Sequence, residues 1–154
     1  MTSSEAPARV AMVAAQWHAD IVDRAVESFV ARLEASGVPV DVHRVPGAYE
    51  IPLLARRLAR SGRFAAVATA ALVVDGGIYS HEFVAQTVVE ALMRVQLAED
   101  VPVFSGVLTP HHFHDHEFHR EQFSGHFVVK GEELAVAVVA TLSALAAVSS
   151  PRQG

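Results

Sequence analysis

The chain contains no cysteine. That absence removes disulfide staples, thiolate nucleophiles and cysteine-based metal sites, and it suits a reducing compartment. Charge is scarce: 12 Lys and Arg stand against 17 Asp and Glu, for a formal net charge of −5. With a pI near 5.9 there is no basic footprint for nucleic acid. Uninterrupted apolar runs are short. The stretches 65–74 and 134–148 stop before the ~20 residues of a bilayer span. Glu5 and Arg9 interrupt any basic-then-apolar leader. The expectation is a cytoplasmic protein with no membrane and no nucleic-acid partner.

What is present in excess is apolar surface. Hydrophobic residues make up 51% of 154 residues, and the mean hydropathy is +0.29. A chain without a membrane span buries such a surplus against other copies of itself, which predicts a homo-oligomer. The length suits one domain, placed at residues 9–148 between loose tails at 1–8 and 149–154.

Apolar runs of strand length alternate with helical periodicity. The predicted strands are 9–15, 38–45, 64–74 and 101–108. The predicted helices are 20–33, 51–58, 81–97 and 131–148, with a polar, histidine-rich stretch at 109–125. This order predicts the α/β class: a three-layer αβα sandwich whose four-stranded parallel sheet carries helices on both faces, joined by right-handed crossovers. The strand ends at 14–17, 45–48, 72–77 and 104–109 should then share one edge. Ligands bind at that edge in such sheets.

Each strand end has a functional and a plain reading. Val45-Pro46-Gly47-Ala48-Tyr49-Glu50-Ile51-Pro52 is a tight connection presenting backbone and one acid, or a loop with Glu50 favoured by the helix dipole. Trp17, the only tryptophan, offers a plane for a flat ring, or staples the helix that follows. Asp75-Gly76-Gly77 precedes a helix and suits an anion, or is a simple turn; it has neither dinucleotide-fold nor P-loop glycine spacing. Ser80-His81 places a histidine at a helix start, as an acid or base near neutral pH or as a surface residue. Six of the nine histidines, His111, His112, His114, His116, His119 and His126, crowd one window. Metal, anion and contact readings all apply. Without a cysteine or a clean carboxylate-supported i, i+4 pair, an anion site with Arg120 plus an intersubunit contact is preferred to metal.

Taken in order, Trp17-His18, Val45–Pro52, Val73-Val74-Asp75-Gly76-Gly77, Phe104-Ser105-Gly106-Val107-Leu108-Thr109 and Val129-Lys130-Gly131 resemble the lumazine synthase family. The resemblance runs from about residue 9 to 148, and its most specific part is Pro46–Pro52. Asp75-Gly76-Gly77-Ile78-Tyr79 and Thr109–His114 look like the decameric, type II subgroup. The resemblance implies a flavodoxin-like fold. It also implies condensation of 5-amino-6-(D-ribitylamino)uracil with 3,4-dihydroxy-2-butanone 4-phosphate to dimethyl-ribityl-lumazine, phosphate and water. The implied reaction needs no metal or other cofactor. Pentamers or paired pentamers with shared sites are implied as the assembly. By position, Trp17 should stack on the pyrimidine. Ala48, Tyr49, Glu50 and Lys130 should hold the ribityl chain, and Leu72, Val73 and Val74 should present backbone to the pyrimidine edge. Gly76 and Gly77 should meet phosphate, and Ser105 replaces a usually aromatic residue given by a neighbouring subunit.

Two positions depart from the family pattern. The usual threonine and catalytic histidine fall on Ile78 and Ser80, with the histidine one place later at His81, so Ser80 and His81 share the acid–base assignment. The usual phosphate arginine has no unique counterpart; Arg120 and His119 are the candidates, with His126 behind them. An alternative function follows from Ser80: a flavin- or lumazine-binding protein with weak turnover. A metal-binding assembly protein built on the histidines is a third.

Overall fold

The computed structural model describes residues 9–74, 80–109 and 117–149, with the backbone alone for His81, 117–120 and Phe123. The tail at 1–8, nearly all of the tail at 149–154, the 75–79 connection and His111–His116 lie outside the described residues. The elements run β1 (Val10–Ala15), α1 (Ala19–Ala35), β2 (Val40–Val45), α2 (Ile51–Arg60), β3 (Ala66–Leu72), α3 (His81–Glu99), β4 (Val103–Phe104), β5 (Val107–Leu108) and α4 (Glu117–Ser149). A single 3₁₀ turn, Ala48–Glu50, leads into α2.

All the pairings are parallel, in the order β2-β1-β3-β4, with β5 continuing the ladder on β3. β1 and β3 are buried along their whole lengths because helices cover both of their faces. Side chains alternate between the two layers. Ala11, Val13, Ala15, Val67 and Ala71 pack with Ile51, Ala55 and Leu58 of α2 and Val88, Leu92 and Val95 of α3. Val10, Met12, Ala14, Ala68 and Ala70 pack with Ile21, Ala25, Phe29 and Leu33 of α1 and Phe127, Ala135 and Val138 of α4. β2, at the sheet edge, shows the mixed pattern of a half-covered strand. The three-layer αβα reading therefore holds.

The strand expected at 101–108 is not continuous, so the sheet has five strands rather than four. Its break is built by Thr69, the buried polar residue of β3. The Thr69 hydroxyl donates to the Phe104 carbonyl at 2.9 Å, and the Gly106 amide donates to the Thr69 carbonyl at 2.9 Å. A Cβ on residue 106 would stand 2.4 Å from that carbonyl, so glycine is required for the contact. The strand turns out at Ser105, which is exposed, and resumes at Val107.

The last helix begins at Glu117, not at Gly131 as the pattern suggested. Gly131 marks a helix contact rather than a helix start. An added Cβ would lie 2.0 Å from Ser28 Oγ and 2.2 Å from the Ala25 carbonyl oxygen. Ser28 Oγ in turn donates to the Val128 carbonyl at 2.8 Å. α1 and α4 thus meet backbone to backbone. The segment Ser124–Ser149 is also long and apolar enough to cross a bilayer, with mean hydropathy 1.7 in its most apolar window. Uninterrupted runs hid this, because Lys130, Glu132 and Glu133 divide the stretch without removing its average. Phe127, Ala135 and Val138 face the sheet layer, whereas Val136, Val139, Leu145 and Val148 are exposed.

The Gly131 contact generates a stability prediction. Gly131→Ala should lower unfolding free energy by about 1–3 kcal/mol, the usual range for overpacking, despite alanine's better helix propensity. Urea unfolding measures it, and a stabilised variant would remove the close crossing from the account.

Candidate active site

The site begins where β1 and β2 leave the sheet together. Ala15 pairs with Val45 at the end of the ladder. Beyond it, the Gln16 amide donates to the carbonyls of Val45 (2.8 Å) and Pro46 (3.2 Å), and the Trp17 amide donates to Pro46 at 3.2 Å. His18 then adopts a left-handed conformation, φ 60° and ψ 40°, and its carbonyl accepts from Ile21 and Val22 to start α1. A positive φ in a non-glycine residue is uncommon and here turns the chain sharply. Trp17 is left 68% exposed, which excludes the buried staple and leaves an aromatic face open at the strand edge.

The indole lies over Gly47. A Cβ built there would stand 3.0 Å from Trp17 Cε3 and Cζ3 and 3.3 Å from Glu50 Oε1. The Gly47 amide donates to Glu50 Oε1 at 2.8 Å, and the Glu50 amide donates back to the Gly47 carbonyl at 3.2 Å. This reciprocal pair holds the 3₁₀ turn and orients the carboxylate. Glu50 is exposed, so one of its oxygens serves the turn while the group remains open to a ligand. Ala48 is buried and Tyr49 is exposed. The Pro46–Pro52 segment is thus a rigid rim beside the only tryptophan.

The next strand end adds backbone. Leu72 and Val73 are buried, and the Val73 amide donates to the Leu108 carbonyl at 2.9 Å. Any ligand role for Val73 therefore falls to its carbonyl. Gly76 and Gly77 lie outside the described residues. α3 packs against the Ala48–Glu50 turn as well as against α2, with Val84, Ala85 and Val88 in the same cluster as Ala48. Its positive dipole end starts at His81. Ser80 is the N-cap: its Oγ accepts the Phe83 amide at 3.3 Å. The His81 side chain lies outside the described residues.

The other predicted residues sit elsewhere. Ser105 lies on the opposite side of the sheet from β2, between β4 and β5, where its Oγ accepts the Val107 amide at 3.3 Å. Lys130 is half-buried on α4 and pairs with Glu133 at 3.2 Å. The His119 and Arg120 side chains are outside the described residues, and His126 is exposed on α4. Among the described residues, one chain brings together Trp17, the 47–50 turn, the end of β3 and the start of α3. Ser105 and Lys130 stand on other elements, at the β4–β5 break and on α4.

Sequence reasoning missed three features that were visible in principle. Ser80 directly before a periodic apolar segment is a capping signal. Thr69 is the single hydroxyl in an otherwise apolar buried strand. Gly47, a glycine in a segment that follows the strand beside Trp17's own, leaves space that the Trp17 ring fills.

Comparison with known proteins gives a consistent result. The profile of the family described as 6,7-dimethyl-8-ribityllumazine synthase matches residues 7–146. A 6,7-dimethyl-8-ribityllumazine synthase from Rhodococcus erythropolis is 58% identical over 142 residues, covering 90% of this chain and 92% of its own. A 6,7-dimethyl-8-ribityllumazine synthase 2 from Pseudomonas syringae pv. tomato is 56% identical over 138 residues, covering 88% and 81%. One from Bradyrhizobium diazoefficiens is 54% identical over 140 residues, covering 90% and 85%. Among solved structures, a GDSL-like lipase from Bacteroides thetaiotaomicron aligns over 85% of this chain and 65% of its own, at TM-score 0.46 and 18% identity, too slight a likeness to carry any argument. The open indole beside a rigid Pro-Gly-Ala-Tyr-Glu turn, at the carboxyl edge of a parallel sheet, fits what the profile and the relatives establish: the chain belongs to the 6,7-dimethyl-8-ribityllumazine synthase family.

Proposed function

We propose that this chain performs the family's reaction at the Trp17–Glu50 edge, in riboflavin biosynthesis and in the cytoplasm. It joins 5-amino-6-(D-ribitylamino)uracil to 3,4-dihydroxy-2-butanone 4-phosphate and releases 6,7-dimethyl-8-ribityllumazine, phosphate and water. The observation that carries this reading is the exposed indole held over Gly47 beside the Glu50 carboxylate, in a chain that matches the family from end to end of the sheet.

The chemistry asks for placement more than for strong catalysts. The ring amine adds to the ketone and loses one water to give an imine. Loss of a carbon-bound proton then expels phosphate. The enol left behind tautomerises to a new ketone at the former hydroxyl carbon, and the ribityl-bearing nitrogen closes on that carbonyl as a second water leaves. Holding the two reactants together supplies a large share of such a rate enhancement. Trp17 stacks on the pyrimidine, and the Leu72–Val74 backbone meets its edge. Ala48, Tyr49 and Glu50 meet the ribityl hydroxyls, with Lys130 at the far end of that chain. Gly76 and Gly77, with Arg120 and His119, hold the phosphate near the positive end of α3.

Proton transfer falls to His81 rather than Ser80. The hydroxyl oxygen of Ser80 is occupied as a helix cap, and His81 is the next residue at the same helix start. The separate placement of Ser105 and Lys130 supports a site completed between copies, in a pentamer or a pair of pentamers. The exposed Phe83, Met93 and Leu97 on α3 and the exposed valines and leucine of α4 supply apolar surface for such an assembly.

Two sets of variants test this reading. Mixing both substrates should give lumazine absorbance well above the spontaneous rate. Trp17→Ala should raise KM for the pyrimidine about tenfold, as loss of an aromatic stack implies. An unchanged KM would take Trp17 out of the pocket. The second set separates the helix cap from the acid–base group. His81→Gln should lower kcat by roughly 10²-fold with little loss of stability. Ser80→Ala should cost about 1 kcal/mol of stability and leave kcat nearly intact. The reverse pattern would return the proton to Ser80.

A further inference from the structure

We propose that Gly47 is the positioning residue for Trp17: its lack of a side chain sets the plane of the stacking wall. The inference rests on the assignment of Trp17 to the pyrimidine and extends it to a residue that need not touch substrate.

Backbone conformation does not explain the glycine. Gly47 has φ −144° and ψ −176°, extended backbone that any residue adopts. What glycine provides is space. The two indole atoms that an added Cβ would approach, Cε3 and Cζ3 at 3.0 Å each, belong to the outer six-membered ring of Trp17. That distance is shorter than ordinary van der Waals contact between carbons, so one partner must move. The indole is the partner that yields. It is 68% exposed, whereas residue 47 is buried and tied through its amide to Glu50 and through its carbonyl to the Glu50 amide.

The backbone of Trp17 is itself fixed, by its amide bond to the Pro46 carbonyl and by the left-handed turn at His18. Side-chain torsions are therefore the only freedom left to the ring. Residue 47 closes off one side of that freedom, and a methyl there tilts the ring away from the 47–50 turn. The same glycine holds the Glu50 carboxylate at 2.8 Å, so the aromatic plane and the acid that faces the ribityl chain share one anchor. A phenyl ring at position 17 lacks the outer ring of indole and clears a Cβ at 47. The tightest crowding at 47 is thereby a consequence of tryptophan at 17, with Glu50 Oε1 standing farther off at 3.3 Å.

The test is a double-mutant cycle with Gly47→Ala, Trp17→Phe and both together, made in the full chain. In the Trp17 background, Gly47→Ala should raise KM for the pyrimidine about fivefold, with a much smaller change in kcat and in Tm. It should also shift the emission of the sole tryptophan and change its quenching by acrylamide, read without substrate. In the Trp17→Phe background the same substitution should change KM less than about twofold. Equal KM penalties in both backgrounds, or unchanged emission and KM in the single variant, would overturn the inference. If Trp17→Ala leaves KM unaltered while Gly47→Ala still shifts emission, the ring contact stands and the stacking assignment fails.

Discussion

Two strands leave this sheet still joined. The amides of Gln16 and Trp17 donate to the carbonyls of Val45 and Pro46 after the β1–β2 ladder has ended. That short backbone extension brings Trp17 and the Gly47–Glu50 turn together, although they are about thirty residues apart in the chain. Without it, the left-handed turn at His18 and the capped turn at Glu50 would be two unrelated loops. With it they form one wall, made rigid by main-chain bonds and open on its outer face. Main-chain bonds of this kind suit a reaction that depends on placement, because they hold geometry without adding reactive groups.

The same economy recurs where the layers meet. At Gly106 and Gly131 a missing Cβ admits another backbone, the Thr69 carbonyl in one case and the Ala25 carbonyl in the other. The first contact breaks the outer strand and turns Ser105 outward. The second sets α4 against α1 and so sets where Lys130 stands along that helix pair. Both residues belong to elements away from the Trp17 wall. Glycine packing thus sets the placement of both Ser105 and Lys130.

The alternation of strand and helix was legible because β1 and β3 are buried on both faces and read as unbroken apolar runs. The carboxyl-edge location of Trp17 and Glu50 followed from that topology. The break at Ser105-Gly106 was not legible, since it depends on Thr69, more than thirty residues earlier, and on a contact seen only in three dimensions. α4 was read short because the polar face at 117–126 has no apolar periodicity and Gly131 looks like a terminus until Ser28 is placed against it. Local signals placed the candidate residues at the strand ends. The reasons for their geometry lie in long-range backbone contacts, which no periodicity encodes.

The central claim is that the single tryptophan forms the stacking wall of the substrate site. Titrating the protein with 5-amino-6-(D-ribitylamino)uracil alone, while following Trp17 emission, tests it most directly. The account predicts saturable quenching whose midpoint matches the KM for that substrate. Emission that stays constant through concentrations saturating turnover would place the pyrimidine elsewhere and contradict it.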